Sequence, residues 1–201
     1  MQTEDTYKTI EKSSEGFFKD KGSKFISLAF PVDSELKIQE YRTFLRKKYH
    51  DARHHVYAFY IGKNQVFYRS SDDGEPTNSS GPPILGQIRS YGLTNILIVV
   101  VRYFGGTKLG IPGLINAYKT AAADAIENAH IVTKTITKKV SFEFKYPAMN
   151  QVMRIVKDPE IIIERQEFLE NCMLEINVSI SNFEKVYNKL ELIKSVKFIS
   201  P

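Results

Sequence analysis

The stretch Ile96-Leu97-Ile98-Val99-Val100-Val101-Arg102-Tyr103-Phe104-Gly105-Gly106-Thr107-Lys108-Leu109-Gly110-Ile111-Pro112-Gly113 governs how this chain folds. Its first six residues are uninterrupted aliphatics, the mark of a short strand covered on both faces. Glycines then break the strand, and Pro112, suited to a first helical turn, opens a helix. On that helix Leu114, Ala117, Tyr118, Ala121 and Ala125 share one face. So many small residues let a helix lie close against a sheet. A strand covered on both faces, a glycine-rich loop and a helix packed close against a sheet thus follow one another here.

Upstream, Gly16 and Gly22 bracket Phe17-Phe18-Lys19, and Phe25 to Ala29 completes a hairpin pattern. Asp33 or Ser34 can cap the next element, a helix over 35–49 with Ile38, Tyr41, Leu45 and Tyr49 at helical spacing. Strands are expected at 55–61 and 66–69, turning at Gly62-Lys63-Asn64. Residues 70–83 read as a loop and 84–90 as a short helix. Downstream, 130–137 reads as a linker between domains at 1–130 and 136–201. The second domain shows strand 138–145, helix 147–157, strands 160–168 and 172–180, helix 182–193 and strand 195–199, a ferredoxin-like βαββαβ order. Ser181 to Glu184 has a capping-box pattern.

Composition narrows the function classes. The chain has 201 residues, 42% apolar and 25% charged, which excludes global disorder. No aliphatic run approaches the roughly 20 residues of a membrane-spanning helix. The start, Met1-Gln2-Thr3-Glu4-Asp5, lacks a signal-peptide pattern, so a cytoplasmic location is expected. The single cysteine, Cys172, permits neither an internal disulfide nor a cysteine zinc site, and its place on an aliphatic strand face makes it an inert core thiol. The net charge of +5 is concentrated upstream: residues 1–135 hold 18 basic and 14 acidic side chains. A polyanionic contact is therefore expected on the first domain.

Three groups of residues carry candidate chemistry. The glycine loop offers Arg102, Gly105, Gly106, Lys108 and Gly110 as an anion site of backbone amides and full charges at a helix start. Equally, it can be a tight strand-to-helix turn, since it matches neither G-x-G-x-x-G nor G-x-x-x-x-G-K-[ST]. The acidic loop, Ser70-Ser71-Asp72-Asp73-Gly74-Glu75-Pro76-Thr77, offers Asp72, Asp73 and Glu75 for metal or acid–base work. Its composition is nonetheless that of an ordinary turn, and the structural reading is favoured. The third group is a basic cluster of Arg46, Lys47, Lys48, Arg53, His54 and His55. Adjacent strand residues face opposite ways, so His54 and His55 do not form a metal pair and no metal site is expected. No nucleophile–base arrangement is recognisable, which favours a non-enzymatic role without a cofactor.

Four segments resemble the IMPACT/YigZ family: Lys21-Gly22-Ser23-Lys24-Phe25, Asp51-Ala52-Arg53-His54-His55-Val56-Tyr57-Ala58, Ser71-Asp72-Asp73-Gly74-Glu75-Pro76 with Gly81-Pro82-Pro83-Ile84-Leu85, and Val101 to Gly110. They stand in family order and cover about residues 17–128. The resemblance implies an α+β fold: a first α+β domain like that shared by a small-subunit ribosomal protein and the fourth domain of the translocating elongation factor, then a ferredoxin-like domain. Eukaryotic relatives regulate translation initiation through an additional N-terminal interaction domain, for which this length leaves no room, so their partner is not carried over. The chain departs from the family at Pro112 (commonly Gly), Asn116 (commonly Arg), Val56 (often Cys) and Ser79-Ser80 (commonly Thr-Ala). The resulting expectation is an RNA- or ribosome-associated regulator of translation. The alternatives are an enzyme acting on a phosphorylated small molecule through the two loops, and a protein-interaction module docking through the C-terminal sheet.

Overall fold

The computed structural model describes residues 5–62 and 67–199. They divide into one unit of residues 7–134 and another of 5–6 with 135–199. No helix among the described residues is long and apolar enough to cross a membrane.

In the first unit the elements run β1 (Thr6–Ile10), β2 (Ser14–Asp20), β3 (Ser23–Pro31), α1 (Glu35–Lys48), β4 (His54–Ile61), β5 (Phe67–Ser71), α2 (Gly81–Ser90), β6 (Ile96–Tyr103), α3 (Gly110–Glu127) and β7 (Ile131–Thr135). Five strands form an antiparallel sheet ordered β2-β3-β6-β4-β5, with β6 at its centre. Alternation along β6 sorts its aliphatics into two cores. Ile96, Ile98 and Val100 pack with Ile84 and Ile88 of α2 and with Leu114, Ala117, Tyr118 and Ala121 of α3. Leu97, Val99 and Val101 pack with Ile38 and Leu45 of α1. The sheet is thus a middle layer between α1 and the α2–α3 pair. Continuous hydrophobicity in β6 follows from having helices on both sides.

Several boundaries differ from the sequence expectation. Residues 131–135 are not linker. They form β7 and pair with β1, a two-stranded sheet favoured by the β-branched Ile131, Val132, Thr133 and Thr135. Helix α2 starts three residues early, because Pro82 and Pro83 fit its first turn and a side chain from the acidic loop supplies the cap. Of the expected strand at 66–69 and turn at 62–64, positions 63, 64 and 66 lie outside the described residues.

The second unit runs β8 (Thr137–Lys145), a 3-10 turn (Tyr146–Ala148), α4 (Met149–Val156), β9 (Ile161–Phe168), β10 (Asn171–Ser179), α5 (Ile180–Glu191) and β11 (Lys197–Ile199). Its antiparallel sheet is ordered β11-β8-β10-β9, the ferredoxin-like arrangement expected from the element order. Phe142, Phe144, Leu174, Ile176 and Cys172 face Val152 and Leu190 in one core. Ser181 does not cap α5. The helix begins at Ile180, and the Ser181 amide donates instead to the Asp5 carboxylate at 2.9 Å.

Candidate functional site

The acidic and glycine loops meet at one end of the five-stranded sheet. Arg102 is the last β6 residue on the α2–α3 face, between Phe25 of β3 and His54 of β4 in register. Its side chain is only 7% exposed, and Nη1 donates to Oε1 of Glu75, itself 4% exposed, at 2.6 Å. The Tyr118 hydroxyl donates to the same oxygen at 2.7 Å, and its ring stands edge-on to Phe25 at 5.1 Å between centroids. Burial, reinforced by Glu75, pushes the Tyr118 hydroxyl pKa upward, so it stays a donor. Ser23 Oγ accepts from Arg102 Nη2 at 3.4 Å and from the Gly105 amide at 3.1 Å. Arg102 Nε is buried, with no hydrogen-bond partner among the described residues.

This geometry corrects the expectation that Arg102 presents its charge to a ligand. A buried guanidinium held by a buried carboxylate is a structural tie between loops. Gly105 is likewise occupied. Its amide serves Ser23, and a Cβ built on it would lie 1.9 Å from the Gly22 carbonyl carbon, so the two turns touch backbone to backbone. Gly106 and Gly110 adopt left-handed φ values of +90° and +73°, conformations that set the loop's path into α3. Lys108 is exposed, as is Phe104, at 56%.

The three acidic side chains point to three different partners. Asp72 caps α2: Oδ1 accepts from the Ser80 amide and hydroxyl and from the Gly81 amide at 2.8–3.0 Å, and Oδ2 accepts from the Asn78 amide at 2.8 Å. Burial alone would raise its pKa, but these donors outweigh it and hold the carboxyl below its ordinary value. Asp73 pairs with Arg46 of α1 and accepts from the His55 amide at 2.7 Å, while its backbone carbonyl meets His54 Nδ1 at 2.9 Å. Glu75 belongs to Arg102 and Tyr118. The loop is a structural clasp from β5 to α1, β4, β6, α2 and α3. Among the described residues no group of three or more His, Cys, Asp or Glu is arranged to hold a metal ion.

The basic cluster does not form one patch. Arg46 is bound to Asp73, His54 to the acidic loop, and His55 is buried on the α1 face beside Val101. Burial, and then Arg46, lower the His55 pKa, against an opposing pull from Asp73. Lys47, Lys48 and Arg53 remain exposed. Nearby, Tyr103 donates to Asp51 at 2.7 Å, which pushes the phenol up to about 12.

Two members of the clasp escape a reading of the sequence. Tyr118 reads there as one more apolar core residue, although a tyrosine within an alanine face is itself a signal, because a buried phenol needs an acceptor. Ser23 carries no signal beyond its place in the hairpin turn and in the Lys21–Phe25 motif.

The family model of the Impact N-terminal domain matches residues 21–126. An IMPACT family member of Thermus thermophilus is 38% identical over 135 residues, 67% of this chain and 72% of its own. The IMPACT family member YvyE of Bacillus subtilis is 27% identical over 173 residues, 86% of this chain and 80% of its own. The crystal structure of a hypothetical protein superposes with a TM-score of 0.70 at 24% identity, covering 98% of each chain, and shares the fold. The matched segment contains the whole clasp, from Ser23 through Glu75 and Arg102 to Tyr118, and this chain belongs to the IMPACT family.

Proposed function

We propose that this protein is an RNA- or ribosome-associated regulator of translation that contacts phosphate through its N-terminal unit. The observation that carries this reading is one of charge. From Pro76 through Ala123 the chain has no Asp or Glu, while Arg89, Lys108 and Lys119 on this stretch are exposed. The stretch comprises α2, β6, the glycine loop and most of α3. Family membership supports the role in translation, as the resemblance implies. The contact surface is Lys108, Gly106 and the outer face of α3. Arg102 and Gly105 act behind it by holding the loop in place.

The test is binding of a fluorescently labelled structured RNA at several salt concentrations. Affinity should fall steeply with salt, and the Lys108→Glu/Lys119→Glu double variant should lose most of it, because each neutralised phosphate steepens the salt dependence. Unchanged affinity in that variant would remove this surface, and no binding at low salt would remove the RNA reading. Arg102 is left intact in this test because its loss unties the clasp.

A further inference from the structure

Resting on that reading, we propose that Phe104 is a stacking platform for an unpaired base, so that the surface takes single-stranded rather than duplex RNA. Phe104 directly follows β6 and precedes the two glycines, yet 56% of it is exposed. An isolated exposed phenylalanine is ordinary on protein surfaces, but this one is neither isolated nor loosely held. The next residue, Gly105, is locked against Gly22 and Ser23. The Arg102 guanidinium, fixed by Glu75, lies 5.6 Å from the Phe104 ring centroid. A cation held there orients the ring, and the rest of it is open to solvent.

The surroundings fit a nucleic acid. Lys108 is four residues along the loop, at most roughly 14 Å away at full extension. On α3, exposed Ile111, Ile115 and Lys119 stand at i, i+4 and i+8 and so share one outer stripe. The hairpin turn against which Gly105 packs adds exposed Lys21. An exposed ring with cations nearby, and no carboxylate anywhere in 76–123, is the combination that binds single strands through base stacking and backbone charge. An acidic protein segment would find the same charges, and the experiment separates it.

The natural chain contains no tryptophan, so a Phe104→Trp variant of the full-length protein reports on this position alone. Oligouridine should quench its indole fluorescence, and a duplex of equal length should do so far less. In anisotropy titrations, Phe104→Ala should weaken oligouridine binding about 5- to 150-fold with an unchanged salt slope. Lys108→Ala should instead reduce the slope by about 0.7. Thermal melting of each variant checks that the fold is kept. If wild-type protein binds the oligonucleotide but Phe104→Ala is unaffected and the indole unquenched, the stacking inference falls and the RNA reading stands. Equal quenching by duplex also overturns it. If no RNA binds, both fall. Quenching by a Glu-rich peptide with none by RNA reassigns the surface to a protein partner.

Discussion

The unit of residues 7–134 keeps Arg102, Glu75 and the Tyr118 hydroxyl in one buried network, whereas the C-terminal unit fills its core with Phe142, Phe144, Leu174, Ile176 and the thiol of Cys172. Both cores are closed, but by different means. In the C-terminal unit two helices cover one face of a sheet, and apolar burial suffices. In the first unit two irregular loops must be held at one end of the sheet, and apolar contact cannot fix a glycine-rich backbone in one geometry. Directional polar bonds do so, against the penalty of desolvating charge. The first unit is specialised accordingly: the polar groups of Arg102, Glu75, Tyr118 and Ser23 are buried where the two loops must be held.

Arg102→Ala tests this contrast hardest. It leaves Glu75 buried without its ion partner and should cost about 3–5 kcal/mol in urea unfolding. The Arg102→Met/Glu75→Leu double variant should recover part of that loss, the remainder being the cost of the buried Tyr118 hydroxyl left without its acceptor. Phe142→Ala should cost a similar amount through its cavity, with no neighbouring charge whose removal restores it. If the double variant stays as unstable as the single, the tie is not electrostatic and the distinction between the cores fails.

A smaller effect is expected at the backbone contact. Gly105→Ala forces a methyl into the Gly22 carbonyl and should cost about 1–3 kcal/mol, while Gly106→Ala meets no atom and feels only its left-handed φ. Equal losses at the two positions would show that conformation, not contact, governs the loop.

The smallest effect concerns Asp72. Its pKa is lowered in the folded chain, so its contribution is complete above the unfolded carboxyl value and is lost as pH falls through the folded one. Asp72→Ala should cost about 1 kcal/mol at neutral pH through the lost α2 cap and flatten the acid limb of the stability curve. An unaltered acid limb would assign that limb to other carboxylates.

Much of the layout is legible in the amino-acid sequence. Ile96–Val101 identifies a strand with two covered faces, and the alternation in Cys172–Val178 identifies a half-buried one, because period and hydrophobicity are local properties; Ile180, which continues the alternation, instead opens α5. Strand β7 is not legible in this way, since Ile131–Thr135 is short and owes its pairing to β1, more than a hundred residues earlier. Residue types and spacing pick out the candidate site residues, but not the division of labour among them. Arg102 and Lys108 look alike as loop cations in the sequence. Only the register of β6 against β3 and β4 turns the first inward onto Glu75, while the second stays in solvent.

The central position of β6 also bears on how the chain is made. Strands β3 and β4 each pair with β6, not with each other. About 65 residues separate the end of β3 from the start of β6. At about 5–20 residues per second, the growing chain carries an unmatched apolar edge for several seconds before its partner emerges. That edge is the region most exposed to mispairing with another nascent chain. Slowed elongation between residues 31 and 96 should therefore lower the soluble yield more than the same pause placed after residue 103.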